Sequence, residues 1–307
     1  MSAATERQLT AWLADYFPRR PARVPVGIGD DAAVVRNLGP DSVVACDPVV
    51  AGVHFTDAAP LALVGRKAVN RNLSDLAAMG AVPDYLLVSV LLPRGFAARR
   101  RGALFRGVRD AARAAGCDVV GGDVAGTPGP LTVTVTAIGH LAGRALRRSA
   151  AAVGDALHVS GALGGAALGR HLRFAPELAL GRWLARQAAV GAVIDVSDGL
   201  ALDLQTVLAA SACPGAVLDA AAVPISAAAR RQARRSGRSA LAHALGDGED
   251  HVLLFSVRRG KHLRAGGPLA ARARRPIGEV VAAPGLALRE RDGRLRRLEA
   301  VGFQHAL

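Results

Sequence analysis

Hydrophobic and polar positions along the first half of the chain fall into short runs with two different periods. Alternating or continuous apolar runs predict strands near residues 23–28, 32–36, 42–46, 84–92, 117–120 and 131–140. Two stretches between them carry apolar residues at helical spacing. One runs from about Leu61 to Met79 and stops at Gly80, the other from about Phe96 to Ala115 and stops at Gly116. Glycine just past the last turn is the usual stop signal, because it enters the left-handed conformation without a Cβ clash. The order strand, helix, strand, helix, strand, strand predicts an α+β sheet with helices on one face.

The segment LAGRALRRSAAAVGD (141–155) shifts composition and marks a joint between two domains, 1–142 and 143–307. The second half opens with a strand in ALHVSG and helical stretches between 163 and 189. Next, GAVIDVSDGLALDLQTVLAAS reads as strand, turn and helix, and the strands HVLLFSV and IGEVV follow. This half also mixes α and β.

Composition narrows the class. With 51% hydrophobic and 21% charged residues in 307, the chain is globular and long enough for a real core. Cys46, Cys117 and Cys213 are scattered, odd in number and without metal-ligand spacing, which suits a reducing cytoplasmic setting. The N-terminus has an early acid and no apolar signal core, and no apolar run approaches the length of a membrane span. The formal net charge of +14 invites a nucleic-acid reading. Yet only Lys67 and Lys261 are lysines, and the arginines of RRQARRSGR (230–238) and RARR (272–275) read as solvated helix or loop. No aromatic interleaving accompanies them, so the charge reads as a compositional bias toward arginine, with no nucleic-acid or membrane partner.

The phosphate loop G-x-x-x-x-G-K-[ST], the dinucleotide fingerprint and H-E-x-x-H are absent from the sequence. What stands out is a series of aspartates beside glycine or at element ends. These are Asp30 and Asp31 in GIGDD, Asp47 in ACDPVV, Asp75 in NLSDLAAMG, Asp123 in VVGGDVAG, and Asp195 and Asp198 in VIDVSDGL. Facing carboxylates repel and resist ionising unless hard cations sit between them. Mg2+ takes oxygen ligands and joins carboxylates to substrate phosphates, so a multi-magnesium polyphosphate site accounts for the series. Each piece also has a plain structural reading. Asp75 shares a helix face with Asn72, Asp123 can serve a turn, Asp198 can cap a helix, and a lone His54 is commonly structural. Capping and phosphate binding are compatible at a helix N-terminus. Glu249 and Asp250 sit in a Gly-rich loop, and Phe303 near the end offers a ring for stacking.

GIGDDAAVV, CDPVVAGVHF, NLSDLAAMGAVP, GGD, VSDGL and GEDHVLLF, in this order, resemble the thiamine-monophosphate kinase family. The resemblance covers nearly the whole chain, and NLSDLAAMGA with AGVHF are its specific pieces. It implies a fold like that of aminoimidazole ribonucleotide synthetase, with an N-terminal α+β domain that dimerises through its sheet and a C-terminal α/β domain that closes the site. It implies ATP-dependent phosphorylation of thiamine monophosphate to thiamine diphosphate by a homodimer using several Mg2+ ions and no covalent protein nucleophile. By resemblance, Asp31, Asp47, Asp75, Asp123, Asp195 and Asp198 hold magnesium. Gly122, Asp123, Arg148 and Ser197 contact ATP, and His54, Glu249 and Phe303 contact thiamine monophosphate.

The chain departs from the family pattern in three places. Ala45 and Cys46 precede Asp47 where Ser or Thr is usual, GEDHVL replaces GEDYEL, and the stretch between SGALGG and HLRFAPEL is short. The rival readings are a divergent kinase or ATP-dependent synthetase of the same superfamily, and, from another class, a basic nucleic-acid-binding protein. The last leaves the aspartate series unexplained.

Overall fold

The computed structural model describes residues 6–17, 22–26, 28, 33–37, 39–264 and 275–303. It divides into two compact units, Met1–Leu76 with Val82–Ala142, and Ala77–Ala81 with Gly143–Leu307.

The first unit contains α1 (Glu6–Tyr16), β1 (Ser42–Val50), α2 (Leu61–Ala78), β2 (Ala81–Pro93), α3 (Ala98–Ala115), β3 (Asp118–Thr127) and β4 (Thr132–Leu141). The last two residues of α2, Ala77 and Ala78, count with the second unit. Leu104, Phe105, Val108, Ala111 and Ala112 recur every three or four residues and form the buried stripe of α3. That helix ends where Gly116 takes φ +75°, as its stop signal predicts. The strands form one sheet in the order β1-β4-β2-β3, with β1 antiparallel to β4 and β2 parallel to β3 across α3. One face buries Val49, Val133, Val135 and Ala137, and α2 lies on it, with Leu76 close against Gly139. The opposite face leaves Val44, Cys46, Pro48, Leu87 and Leu91 exposed.

The sheet predicted for the first half is present, with two differences. Among the described residues, the strands expected near 23–28 and 32–36 are present only as bridge positions, with Val26 antiparallel to Val34 and a further bridge residue at Ile28, while residues 27 and 29–32 lie outside them. The strand expected at 117–120 runs on to Thr127, because β2 supplies a partner for every residue of GGDVAGT after a bulge at Val120.

The second unit contains β5 (Ala156–Val159), α4 (Leu178–Ala185), β6 (Val190–Asp195), α5 (Leu200–Ala210), β7 (Gly215–Asp219), α6 (Ala227–Ser236), α7 (Ala240–Gly246), β8 (Leu253–Val257), β9 (Gly278–Val281), β10 (Gly285–Arg289) and β11 (Leu295–Arg297). Its seven strands are ordered β11-β10-β7-β9-β5-β8-β6. Ile194 and Leu254 join the core that includes Leu200, Leu204 and Leu245, whereas Val193, Leu253 and Phe255 join Leu180 and Leu184 of α4. Burial on both faces explains why β6 and β8 are continuous apolar runs. The helical stretches expected at 163–189 reduce to single turns at Ala166–Leu168 and Arg170–Leu172 followed by α4, because Gly164, Gly165 and Gly169 take positive φ. The arginines of RRQARRSGR lie exposed on and just beyond α6, and 272–274 fall outside the described residues.

Candidate functional site

In the first unit, Asp47 is the best-defined of the sequence-selected aspartates. It lies on β1, an edge strand, and faces α2. Arg71 Nε of α2 donates to Asp47 Oδ2 at 3.0 Å. Asn72, one position on and fully buried, clasps the strand itself. Its Oδ1 accepts from Asp47 N at 2.8 Å, and its Nδ2 donates to Asp47 O at 3.3 Å and to Ala68 O at 3.0 Å. The side chain thereby replaces a missing neighbouring strand and satisfies the open edge. Asp75 lies one turn further along α2 and is partly buried.

His54 is buried in the turn after β1. Its Nδ1 accepts from Val50 N at 3.0 Å, which assigns the proton to Nε2. Lys67, fully buried, donates from Nζ to His54 O at 2.6 Å. Gly122 and Asp123 lie on β3, the far edge of the same sheet. Gly122 has φ +149°, and a Cβ there would run into Val88 O. Asp123 pairs with Ser89, between the exposed Leu87 and Leu91, and so stands on the open face. Asp47 and Asp123 are therefore on opposite faces and three strand spacings apart, roughly 14 Å. One copy of this sheet does not bring them together. Asp31 lies outside the described residues.

In the second unit, tertiary structure gathers residues that the sequence keeps far apart. The loop 196–199 between β6 and α5 carries Ser197 and Asp198. Glu249 N donates to Ser197 O at 2.6 Å, His251 N to Val196 O at 2.8 Å and Phe303 N to Asp198 O at 2.8 Å. Ser197, Asp198, Glu249 and Phe303 thus share one backbone-bonded cluster. Gly248 makes this possible: at φ +73° it lies so near Ser197 O that a Cβ would approach it to 2.7 Å. Arg148 opens a single helical turn that packs against β6 and α5, where Arg148 O accepts from Ser211 Oγ at 2.9 Å.

The same cluster holds Asp203, which the sequence did not single out, and two residues of the GEDH loop. Asp203, in the first turn of α5, accepts from Asp198 N and Gly199 N, each at 3.1 Å. Burial pushes its carboxyl up to about 7, the charges of Asp198 and Asp195 push the same way, and the two N–H donors oppose them. An acid in the first helical turn was the available signal, but nothing in the sequence shows its depth. Asp250 accepts from Gly164 N and pairs with Arg170, which fastens the GEDH loop to the 162–170 segment. His251 stacks on Phe174 with ring centroids 4.1 Å apart.

Among the described residues, no three His, Cys, Asp or Glu side chains already stand together as a metal cage. The charged side chains that act on Asp203 beside the 196–199 loop, Asp198 and Asp195, are nevertheless carboxylates, and they add to the burial that raises its carboxyl. An oxygen-only, electron-rich set of this kind fits Mg2+.

Comparison with known proteins shows what the chain as a whole is similar to. The family model "AIR synthase related protein, N-terminal domain" matches residues 29–141. A thiamine-monophosphate kinase of Rhodopirellula baltica is 40% identical over 314 aligned residues, which span 98% of this chain and 97% of that protein. The solved structure described as "AaThiL complexed with AMPPCP and TMP" matches with a TM-score of 0.75 at 26% identity, over 91% of this chain and 92% of that one. The hydrogenase maturation protein HypE of E. coli matches with a TM-score of 0.78 at 23% identity, over 96% and 98% of the two chains, a likeness of fold alone.

Proposed function

The chain belongs to the thiamine-monophosphate kinase family, and from that membership we infer that it transfers the γ-phosphoryl group of ATP to thiamine monophosphate, giving thiamine diphosphate and ADP. The observation that carries the reading is identity to a kinase of this name along almost the entire chain. A phosphate oxygen of thiamine monophosphate attacks the γ-phosphorus in line. The new P–O bond forms as the bond to the β-phosphate oxygen breaks, and ADP leaves. The attacking oxygen is ionised at neutral pH, so the protein has to align and neutralise rather than supply a nucleophile.

We assign Asp31, Asp47, Asp75, Asp123, Asp195 and Asp198 to Mg2+. Bound magnesium neutralises phosphate oxygens and eases the approach of two anions. The carboxylate character of the cluster around Asp203 supports this assignment. Gly122, Asp123, Arg148 and Ser197 are assigned to ATP, with Arg148 as an exposed fixed cation. His54, Glu249 and Phe303 are assigned to thiamine monophosphate. The exposed Phe303 ring is suited to stacking on a flat heterocycle, and the Glu249 carboxylate to the cationic thiazolium or the aminopyrimidine N–H donors.

Residues 1–142 are assigned nucleotide and metal binding and dimerisation. The exposed face of the β1-β4-β2-β3 sheet supports a homodimer: Val44 is 62% exposed there, and Asp123 stands on the same face. The three free cysteines suit a cytoplasmic location, and no helix among the described residues is long and apolar enough to cross a membrane. The test is incubation of the purified protein with ATP, Mg2+ and thiamine monophosphate, scored for thiamine diphosphate. Absence of that product, with ATP still bound, would leave a kinase of another phosphorylated acceptor.

A further inference from the structure

His251 occupies a conformation that side-chain-bearing residues rarely adopt, with φ +49° two residues after Glu249 at φ +53°. Such a backbone persists only where the surroundings over-determine it. Three contacts do so. His251 N donates to Val196 O at 2.8 Å. The ring lies on Phe174 with an interplanar angle of 16°. Its Nδ1 is 3.4 Å from Asp195 Oδ2.

Both His251 and Asp195 are only 2% exposed. A carboxylate can only accept, so the proton belongs on Nδ1. The other ring nitrogen, Nε2, is buried with no hydrogen-bond partner among the described residues. Leaving it so is costly in a folded core. The ring is therefore held for its Nδ1–H, and the Phe174 stack supplies the brace that a second hydrogen bond would otherwise give.

We propose that His251 is a positioning residue for Asp195: its Nδ1–H, braced by Phe174, fixes the orientation in which the Asp195 carboxylate is presented to a divalent cation. The inference rests on the reading of Asp195 as a magnesium ligand. Carboxylates that bind metal are oriented by hydrogen bonds from behind, and losing such a partner typically weakens metal affinity about 10- to 100-fold. The position is one where this chain has His in the GEDHVL stretch while the family pattern GEDYEL has Tyr.

The test is Mn2+ binding to the full-length protein with AMPPCP present, measured by electron paramagnetic resonance in wild type, Asp195→Asn, His251→Phe and His251→Asn. His251→Phe keeps the stack and removes the donor, and its Mn2+ dissociation constant should rise about tenfold. His251→Asn keeps an N–H near the Nδ1 position and tolerates positive φ, and it should recover most of the loss even where the Phe variant folds poorly. Adding His251→Phe to Asp195→Asn should weaken binding no further. If His251→Phe folds and binds Mn2+ like wild type while Asp195→Asn does not, the positioning role is wrong. If Asp195→Asn also binds normally, the metal assignment fails and takes the inference with it. The full pattern in a protein that forms no thiamine diphosphate would uphold the role of His251 and overturn only the choice of acceptor.

Discussion

Asp47 lies on a strand that faces a helix and Asp203 in the first turn of one, and the two units treat these carboxylates in opposite ways. Asp47 faces Arg71 across 3.0 Å while Asn72 satisfies the strand backbone on either side of it. Asp203 meets backbone N–H groups, and the charges that act on it come from Asp198 and Asp195. The first arrangement supplies its own cation. The second holds a proton near neutrality and suits a cation from outside. A carboxylate motif in a sequence therefore says nothing by itself about whether the fold has already neutralised it.

The largest expected effect tests the second arrangement through function. Asp195→Ala should lower kcat about 1,000-fold with the protein still folded, and Asp75→Ala should act in the same direction. Steady-state kinetics beside circular dichroism decides this, and near-normal turnover in either folded variant would remove the magnesium assignment of that residue.

Asp203→Asn comes next and reports on stability. The folded carboxyl titrates at about 7 against an ordinary 3.8, so the folded chain holds the proton more tightly than the unfolded one. The stability linked to it is fully present below pH 3.8 and is lost as pH rises to about 7, at most about 4 kcal/mol. Urea unfolding of wild type should show this loss between pH 4.5 and 8. The Asn variant keeps an acceptor for Asp198 N and Gly199 N and should be flat over that range from this source. A wild type with no such slope would make the two regions alike.

Asn72→Ala tests the first arrangement. It removes three hydrogen bonds, one buried and two partly buried, and leaves the edge of β1 unsatisfied, which should cost about 2–3 kcal/mol at all pH values. Arg71→Gln is the mildest change. The Arg71–Asp47 pair is partly exposed, so its loss should cost under about 1 kcal/mol in denaturant unfolding at moderate salt. A larger cost would mean that Asp47 depends on its guanidinium more than its exposure implies.

Legibility followed the range of the interactions involved. α3 was readable because its buried residues recur at one period, and both α2 and α3 because a glycine ends each pattern. β6 and β8 were readable because burial on two faces demands an unbroken apolar run. The Gly-rich strand GGDVAGT was only half readable, since its pairing with β2 comes from across the sheet rather than from its own residues. Among the candidate site residues, Asp198 and Glu249 were visible as motif members, but their joining through Ser197 O and Asp198 O was not. Asn72 was visible only as a neighbour of Asp75 on a helix, and Phe174 not at all.

From the sequence alone came the succession of strands and helices, the aspartate motifs and the family they resemble, because these depend on residue type and spacing along the chain. Tertiary structure decided which of those residues meet. It placed Asp47 and Asp123 on opposite faces of one sheet, drew Phe303 to Asp198, buried Asp203 beside two like charges and set His251 between Phe174 and Asp195. Hydrogen bonding, desolvation and repulsion act through space over a few ångströms, and residues separated by dozens of positions acquire those distances only when the chain folds.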